Sequence, residues 1–380
     1  MSDRYDIVVI GAGAAGEELA VRVAAQQRRV ALVERELVGG ECAYWACIPS
    51  KTLLRGAEVL AATRRAAGTE PARPMWRELA RYRDYMIRGL DDTEQVESHR
   101  RKGIDVYRGD AAIRARGEVV VADKELRTEG IVIATGSEPS IPEIDGLAQN
   151  GFWTTREATT LSDLPASVAI LGGGPVGVEL AQFFARFGTT VTLIETGPRL
   201  VSGEDGRMGE LIAEVLRDEG VDVSLGAHVT AVASDGLSRI VKFADRGRVS
   251  VSELVVAVGR RPRLPACDPE ALGLLVTDAG VRVDARCRAA DRIWAIGDVT
   301  GVMPFTHVAK YQARIAARHI AGERVAARYD AIPRVTFSDP ELAAVGITER
   351  HAREQHLDVA SACVDLSEAI ARPSTYEREP

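Results

Sequence analysis

Short apolar runs alternate along the chain with longer stretches in which apolar residues recur every three or four positions. Residues 5–10 form an apolar run that leads directly into a glycine cluster, and residues 19–24 then show helical spacing. A second apolar run, at residues 30–33, ends at Glu34. This pattern predicts a strand, a glycine turn, a helix and a second strand, which is the repeating unit of a parallel α/β sheet.

The same unit occurs a second time further along the chain. An apolar run leads into the glycines of residues 172–177, a helical pattern follows, and a final apolar run ends at Glu195. The first glycine precedes the closing acid by 23 positions in both copies, from Gly11 to Glu34 and from Gly172 to Glu195. In a single copy, the glycines could simply allow the helix to pack closely on the strand. Two copies with the same spacing favour two dinucleotide-binding sites instead.

The three glycines and the acid of each unit have distinct physical tasks. The first glycine makes the tight turn, the second lets the backbone approach a pyrophosphate, and the third lets helix and strand pack closely. The helix N-terminus offers free N–H groups to the phosphates, and the closing acid accepts hydrogen bonds from ribose hydroxyls. The predicted ligands are Gly11, Gly13, Gly16 and Glu34 in the first unit, and Gly172, Gly174, Gly177 and Glu195 in the second.

The same periodicities predict the elements of the remaining chain. Helical patterns cover 52–66, 76–102, about 206–219 and about 307–321, and strand-like runs cover 104–133 and 221–258. Residues 138–151 are marked by Pro and Gly and predict a linker. Two further apolar runs end in the signatures Ala134-Thr135-Gly136 and Ala295-Ile296-Gly297-Asp298. The length of 380 residues favours two or three domains.

Composition and charge narrow the functional classes. The formal net charge of −7 provides no overall basic field of the kind that nucleic-acid binding requires. No stretch approaches the roughly 20 consecutive apolar residues of a membrane-spanning helix. No basic segment precedes the first apolar run, as it would in a secretory signal. We therefore expect a cytoplasmic protein that binds neither nucleic acid nor membrane.

Two of the five cysteines form a close pair. Cys42 and Cys47 enclose a four-residue insert, and Pro49 suits the first turn of a following helix. A helix N-terminus and Lys51 would stabilise a thiolate there and lower the thiol pKa, which favours a disulfide-forming redox pair. A buried structural pair or a zinc pair is the alternative, but no further His or Cys lies close in sequence to complete a zinc site. We expect no metal site.

In their order, these motifs resemble the flavin-dependent class I pyridine nucleotide-disulfide oxidoreductases, the family of dihydrolipoyl dehydrogenase, glutathione reductase and mercuric reductase. The matching signatures are the first GxGxxG, the Gly-Gly-x-Cys-x4-Cys-Ile-Pro-Ser-Lys block of residues 39–51, Ala134-Thr135-Gly136, the second glycine motif leading to Glu179, and Ala295-Ile296-Gly297-Asp298. The likeness covers roughly residues 5–370. It implies an α/β fold with two Rossmann-like dinucleotide-binding domains, for FAD and NAD(P), plus the start of an incomplete α+β interface domain.

The resemblance assigns a role to each matching position. Cys47 would be the charge-transfer cysteine against the flavin, and Cys42 the interchange cysteine that attacks substrate. Lys51 would lie near flavin N5 and pair with Glu179. The residues expected to hold the two dinucleotides are Gly11, Gly13, Gly16, Glu34, Lys51, Thr135, Gly136, Gly172, Gly174, Gly177, Glu195, Gly259, Gly297 and Asp298. Asp298 as a plain turn residue and Glu179 as a solvated helix acid remain alternatives.

The implied activity is that of an FAD-dependent oxidoreductase. Electrons would pass between NAD(P)H, the flavin and a Cys42–Cys47 disulfide, to or from a small or protein-bound dithiol or disulfide, as in dihydrolipoyl dehydrogenase. The physiological direction stays open. A mercuric-ion or quinone reductase and a non-catalytic flavin redox sensor are the alternatives on this scaffold. The insert of residues 43–46 contains Tyr44 and Trp45 where the family usually has small or aliphatic residues, which leaves the substrate open.

The resemblance also predicts the division of the chain. Residues 1–150 and 264–331 would form the FAD-binding and central domain, 151–263 the NAD(P)-binding domain, and 332–380 the start of a dimerisation domain. In the family that last domain is longer and supplies an acid/base pair to the partner subunit. We therefore expect a truncated chain whose full-length form is a homodimer.

The closing acid of the second unit predicts the choice of nucleotide. A carboxylate at Glu195 can accept hydrogen bonds from both ribose hydroxyls, and its charge repels a 2′-phosphate, so NAD is favoured over NADP. Arg199 is close enough in sequence to weaken this preference.

Overall fold

The computed structural model describes residues 3–245 and 247–365, which form two compact units. The first unit contains residues 3–48, 84–140 and 260–329, and the second contains residues 49–83, 141–259 and 330–365. Each unit is thus assembled from three separate stretches of the chain. The part of the predicted segment 332–380 beyond residue 365 lies outside the described residues.

A nine-stranded sheet organises the first unit. Its strand Asp3–Ile10 lies between Val30–Glu34 and Lys124–Ile133, and both pairings are parallel, with Ile10 opposite Val33. Residues 7–10, 30–33 and 130–133 of these strands are buried, as a covered parallel sheet requires. The other strands of the sheet are Ile104–Arg108, Ala111–Ala115, Glu118–Val121, Ala266–Cys267, Arg288–Ala290 and Ile293–Ala295.

Two helices of the first unit pack against each other and form one core with the sheet. They are Ala14–Ala24 and Thr306–Ile320, and their small buried residues, such as Ala20 and Ala313, allow the close approach. The remaining elements are helices Gly40–Tyr44, Thr93–Arg101 and Pro269–Leu272, the 3₁₀ turns Arg88–Leu90 and Gly297–Thr300, and the short strand pairs Ser137–Pro139 with Arg260–Pro262 and Val276–Thr277 with Gly280–Val281.

The second unit repeats the parallel arrangement on a smaller scale. Its four-stranded sheet has the order Asp222–Ser224, Thr190–Ile194, Ser167–Leu171 and Glu253–Val256, with all neighbours parallel. A three-stranded antiparallel sheet is formed by Val229–Ser234, Arg239–Phe243 and Arg248–Val251, and a hairpin by Pro333–Thr336 and Leu342–Val345. The helices are Leu147–Asn150, Thr155–Thr160, Pro175–Arg186, Gly206–Asp218 and Glu349–Glu354, with most of Cys47–Arg65 and Trp76–Met86.

The structure confirms the α/β class, the two Rossmann-like sheets and most of the predicted elements. The single long helix predicted over 76–102 is wrong. It is divided into Trp76–Met86 and Thr93–Arg101, because Arg88, Gly89 and Leu90 between them adopt positive φ values, which an α-helix excludes.

Two further boundaries differ from the sequence prediction. The helix predicted to start at 52 starts at Cys47, so the second cysteine is part of it. The linker predicted over 138–151 contains most of strand Ser137–Pro139 and the short helix Leu147–Asn150. Within residues 3–245 and 247–365, no helix has both the length and the apolar character that crossing a membrane requires.

Candidate active site

The first glycine loop, residues 11–16, contains glycines with two different reasons for lacking a side chain. Gly11 has φ +101°, and a Cβ there would lie 2.3 Å from the carbonyl oxygen of Ala134. A Cβ on Gly16 would lie 1.9 Å from the carbonyl oxygen of Gly11. At Gly13, by contrast, a Cβ would meet no atom within 4 Å, and the backbone is in an ordinary extended conformation. The fold therefore requires glycine at 11 and 16 but leaves open space at 13.

The second glycine loop, residues 172–177, repeats this geometry. Gly172 has φ +109° and a Cβ there would lie 2.4 Å from the carbonyl oxygen of Ala257, while a Cβ on Gly177 would lie 1.8 Å from the carbonyl oxygen of Gly172. Gly174 again faces open space. The repeat seen in the sequence is thus also a repeat of backbone contacts.

The closing acids tie each loop to the end of its strand. In both units one carboxylate oxygen accepts the amide N–H that follows the first glycine, and the other accepts the N–H two residues beyond the acid. The four bonds are Ala12 N to Glu34 Oε2 at 2.7 Å, Glu36 N to Glu34 Oε1 at 2.8 Å, Gly173 N to Glu195 Oε2 at 2.7 Å, and Gly197 N to Glu195 Oε1 at 2.6 Å. Glu195 Oε1 also accepts the Thr196 hydroxyl at 3.3 Å, so a lone pair for a ribose hydroxyl remains on both oxygens of Glu34 and on Oε2 of Glu195.

Both loops fit the phosphates of a dinucleotide. Gly13 and Gly174 are the N-caps of helices Ala14–Ala24 and Pro175–Arg186, and neither helix start has a side-chain capping bond. The N–H groups of these first turns therefore remain available beside the open space at the middle glycine, where a helix N-terminus favours an anion. A Cβ at 13 or 174 would occupy that space without touching the protein.

A chain of two hydrogen bonds orients the carboxylate of Asp298. Its Oδ2 accepts a hydrogen bond from Ser137 Oγ at 2.6 Å, and Ser137 Oγ in turn accepts one from Arg260 Nε at 2.8 Å. A Cβ on the preceding Gly297 would lie 3.3 Å from the Cβ of Ala15, so this turn packs against the helix that follows the loop. Asp298 lies in the turn Gly297–Thr300, which agrees with the alternative of a turn residue, but Ser137 and Arg260 orient its carboxylate.

Thr135 and Gly136 follow the central strand at the same edge of the sheet. The Thr135 hydroxyl donates to the carbonyl oxygen of Arg263, and the amide of Arg263 donates to the carbonyl oxygen of Gly136 at 3.0 Å. Burial lowers the pKa of the Arg263 guanidinium. These bonds fix the strand end beside Ser137.

The glycine pair that precedes the cysteines packs on the first glycine loop. Gly39 donates its amide N–H to the carbonyl oxygen of Ala12 at 2.8 Å. Gly40 has φ +64°, and a Cβ there would lie 2.7 Å from the Cα of Gly13. Helix Gly40–Tyr44, which carries Cys42, therefore starts directly on the predicted pyrophosphate loop.

The side chains of Cys42 and Cys47 are hydrogen-bonded to each other. Both are free thiols in this structure, and one hydroxyl, that of Thr306, lies 3.3 Å from Cys42 Sγ and 3.5 Å from Cys47 Sγ. The hydrogen bond with Cys47 and burial raise the pKa of the Cys42 thiol, while Thr306 opposes this. The expectation of a lowered thiol pKa is therefore wrong for Cys42, because a second sulfur and burial outweigh the favourable donors there.

The predicted partner of Lys51 is Glu179, and the structure confirms the pair. Lys51 Nζ lies 2.7 Å from Glu179 Oε2, and Glu179 is 5% exposed on helix Pro175–Arg186. The amide of Phe337 donates to Glu179 Oε1 at 2.9 Å, and Lys51 Nζ lies 4.7 Å from the centroid of the Phe337 ring. Glu179 is therefore a buried, paired carboxylate, and the alternative of a solvated helix acid is wrong.

The predicted site residues fall into one set in each unit. The first unit contains Gly11, Gly13, Gly16, Glu34, Cys42, Cys47, Thr135, Gly136, Gly297 and Asp298, and the second contains Lys51, Gly172, Gly174, Gly177, Glu179, Glu195 and Gly259. Gly259, with φ +135°, ends the middle stretch of the second unit. No group of three or more His, Cys, Asp or Glu in the described part of the chain could hold a metal ion.

Three residues at these sites were not identified from the sequence. Thr306 lies just before the predicted helix start at 307, and Phe337 lies in a segment without any motif. Ser137 follows the Ala-Thr-Gly signature but is an ordinary polar residue by pattern. A hydroxyl residue directly before a helical pattern is a capping signal, and that signal would have drawn attention to Thr306.

Comparisons with known proteins agree with this geometry. Residues 5–313 match the family described as pyridine nucleotide-disulphide oxidoreductase. The chain is 34% identical over 368 residues to the probable pyridine nucleotide-disulfide oxidoreductase RclA of Escherichia coli, covering 94% of this chain and 80% of that protein. It is 33% identical over 367 residues to a dihydrolipoyl dehydrogenase of Bacillus subtilis, covering 93% and 80%. It is 31% identical over 380 residues to a mercuric reductase of Staphylococcus aureus, covering 97% and 69%.

A solved structure shows the same fold. The Cu(II) complex of the HOCl-induced flavoprotein disulfide reductase RclA from Escherichia coli aligns with a TM-score of 0.82 at 33% identity. The alignment covers 92% of this chain and 79% of that chain.

Proposed function

The chain belongs to the pyridine nucleotide-disulphide oxidoreductase family, and from that premise we propose that it moves electrons between NAD(P)H and an external dithiol or disulfide through Cys42 and Cys47. The family is FAD-dependent with NAD(P)H as electron donor. The observation that carries the proposal is the packing of Gly39 and Gly40 on the first glycine loop, because it joins the dithiol to a phosphate-binding loop.

The first unit supplies the residues proposed to hold FAD. The open space at Gly13 and the uncapped helix start would take the pyrophosphate, Glu34 the adenosine ribose, and Asp298 the ribityl or pyrophosphate region. Ser137 and Arg260 orient the Asp298 carboxylate. When bound, FAD supplies the two-electron carrier that links a nicotinamide to a thiol pair.

The second unit supplies the residues proposed to hold the nicotinamide nucleotide. Gly174 gives the pyrophosphate access to the N-terminus of helix Pro175–Arg186, and Glu195 accepts the ribose hydroxyls. We assign NAD as the preferred nucleotide, because two backbone N–H groups hold the Glu195 carboxylate at the end of its strand, where its negative charge would repel a 2′-phosphate.

The Lys51–Glu179 pair, which lies in the second unit, is proposed to act beside the nicotinamide. Phe337 holds one oxygen of Glu179 through its amide and covers the Lys51 ammonium with its ring. One partner on each oxygen fixes the carboxylate, so the pair can orient a ring placed against it.

The proposed substrate is a dithiol or disulfide of the lipoyl type. Cys42 would be the thiol that exchanges with substrate, and Cys47 the thiol next to the flavin. Tyr44 between them is buried and donates its hydroxyl hydrogen to the carbonyl oxygen of Val38 at 3.1 Å, whereas Trp45 is partly exposed. Trp45 is therefore the bulky residue of the insert that a substrate can meet.

Metal-ion reduction is the second candidate. The likeness to a mercuric reductase and to an RclA solved as a Cu(II) complex favours a metal ion over a quinone as the alternative acceptor. Both reactions use the same dithiol, so the acceptor alone distinguishes them. A cytoplasmic location and a homodimeric assembly remain predictions.

A steady-state screen tests the assignment. Purified protein is assayed with NADH against lipoamide, glutathione disulfide, Hg(II), Cu(II) and quinones, with Cys42→Ser as the matched control. Turnover of lipoamide that is lost in Cys42→Ser supports the dithiol–disulfide function. Turnover of a metal ion alone supports the second candidate, and a flavin that NADH does not bleach contradicts both.

A further inference from the structure

Thr306 places one hydroxyl between the two sulfur atoms of the dithiol. Its Oγ1 donates to Cys42 Sγ at 3.3 Å and lies 3.5 Å from Cys47 Sγ. Thr306 lies 264 positions from Cys42 and 259 positions from Cys47 in the chain, so these contacts depend on the folded first unit. Both distances lie within the range of hydrogen bonds to sulfur.

This hydroxyl has no role in starting its own helix. Helix Thr306–Ile320 has Phe305 as its N-cap, and no side-chain capping bond is present. Valine has the same branched shape at Cβ and would fill the same space without the O–H group. The hydrogen bonds described for the Thr306 hydroxyl are those to the two sulfurs.

A hydroxyl has a single proton to donate and can rotate about its C–O bond. Because the two sulfurs are almost equally distant, rotation moves the donated bond from one to the other without moving any heavy atom. A thiolate is a much stronger acceptor than a thiol, so the proton turns to the sulfur that carries the charge.

We propose that Thr306 is a positioning residue of the redox pair, donating its hydroxyl proton to whichever of Cys42 and Cys47 is the thiolate. The proposal rests on the proposed function, in which the charge moves from Cys47 to Cys42 when Cys42 exchanges with substrate. Thr306 then supports both thiolates in turn with one group.

Two further observations support this role. The bond from Thr306 lowers the pKa of the Cys42 thiol, against the raising effects of Cys47 and burial. Thr306 is also the first residue of a 15-residue helix, whose N-terminus adds a positive partial charge near the sulfurs. Removing the hydroxyl should therefore make the thiolate harder to form and the disulfide harder to reduce.

The test compares wild-type protein with Thr306→Val and Thr306→Ser. The full chain with FAD is reduced with dithiothreitol, and the rate of alkylation of Cys42 and Cys47 by iodoacetamide is followed from pH 6 to 10 by peptide mass spectrometry. We expect the midpoint of the profile to rise by about one pH unit in Thr306→Val, equivalent to about a tenfold loss of thiolate, and to return in Thr306→Ser. Coincident profiles for wild type and Thr306→Val would overturn the proposal.

A parallel arm separates this proposal from the proposed function. In this arm NADH replaces dithiothreitol as the reductant. If NADH does not produce the dithiol, the proposed function is contradicted. The arm with dithiothreitol still tests the role of Thr306. Flavin content and Tm are measured for every variant, and Thr306→Ala serves as the second hydroxyl-free variant if Thr306→Val folds poorly. A raised midpoint in Thr306→Ala supports the proposal in that case, and an unchanged one overturns it.

Discussion

At the scale of single residues, the two cysteines of the redox pair differ in their surroundings. Cys42 lies on the short helix Gly40–Tyr44, where the hydrogen bond with Cys47 and burial raise the pKa of its thiol. Cys47 is the first residue of the 19-residue helix Cys47–Arg65, whose N-terminus favours negative charge. We therefore expect the thiolate of the reduced pair on Cys47.

This asymmetry predicts different spectra for the two serine variants. In the reduced protein a thiolate at Cys47 beside the flavin should give a long-wavelength charge-transfer band. The band should be retained in Cys42→Ser and lost in Cys47→Ser, which removes the charged sulfur. Absorbance spectra of the anaerobically reduced variants check this, and a band that survives in Cys47→Ser would contradict the assignment.

A partly buried network of Cys287, Gln312 and Tyr329 in the first unit predicts loss of stability in alkali. Burial raises the pKa of Cys287 to about 12 and that of Tyr329 to about 12, and Gln312 donates to the Tyr329 hydroxyl at 3.0 Å. Because both pKa values are raised in the folded state, both groups favour folding when protonated, and their contribution is lost as the pH rises from about 9 towards 12.

Denaturant unfolding measured between pH 7 and 11 checks this sign. We expect stability to fall at alkaline pH in the wild type, and to fall less in Tyr329→Phe, which cannot ionise. Equal alkaline slopes for the two proteins would show that Tyr329 does not contribute.

The charge of Glu195 predicts the choice of nucleotide. In Glu195→Gln the carboxylate charge beside the ribose is lost, so the ratio of kcat/KM for NADH to that for NADPH should fall by about tenfold, which corresponds to about 1.4 kcal/mol. Glu210→Gln, an exposed acid on helix Gly206–Asp218, is the control. An unchanged ratio in Glu195→Gln would mean that other residues, such as Arg199, decide the preference.

Sequence reasoning at this scale found the residues whose type and spacing are constrained. Glu34 and Glu195 were identified by their positions. Only the structure shows that each of them accepts two backbone hydrogen bonds. Thr306 and Phe337 were missed, because their partners lie more than a hundred positions away in the chain. Nothing in the local pattern marks Phe337, and the capping signal at Thr306 does not point to the cysteines.

At the scale of elements, the two glycine loops make matched predictions. Gly13→Val should fold, since a Cβ at 13 meets no atom within 4 Å, but it should lose FAD because the side chain fills the phosphate space. Gly174→Val should keep FAD and lose reduction by NADH. Flavin content after purification and the rate of flavin bleaching by NADH separate the two effects.

A third variant controls for general disruption of a loop. Gly16→Val would place a Cβ 1.9 Å from the Gly11 carbonyl oxygen, so it should lower the Tm strongly. Because loss of bound FAD itself lowers the Tm, the variants are compared as FAD-free proteins. If Gly13→Val then lowers the Tm as much as Gly16→Val, the open space at Gly13 is not a ligand site.

The elements themselves were largely predictable, because apolar periodicity records which face of a helix or strand is buried. The error over 76–102 shows the limit of that signal. Both halves of this stretch are helical, but the break between them depends on three consecutive positive φ values at Arg88, Gly89 and Leu90, and two of those residues are not glycine. All three residues are exposed, so the break leaves no signal in the apolar periodicity.

At the scale of the whole molecule, the chain crosses repeatedly between its two units. Residues proposed to hold FAD and the dithiol belong to the first unit, and those proposed to hold the nicotinamide nucleotide belong to the second. The repeat in the sequence revealed that there are two nucleotide-binding units. It did not reveal that residues 49–83 and 330–365 belong to the second unit, because such membership is set by long-range contacts that leave no local pattern.

The central claim is that electrons from NADH reach the Cys42–Cys47 pair, and counting thiols tests it most directly. Oxidised, FAD-loaded protein is titrated with NADH without oxygen, and free thiols are then counted in the wild type and in the double variant Cys42→Ser, Cys47→Ser. The account predicts that NADH adds two thiols per chain in the wild type and none in the double variant. A flavin that bleaches in the wild type while the thiol count stays constant would contradict it.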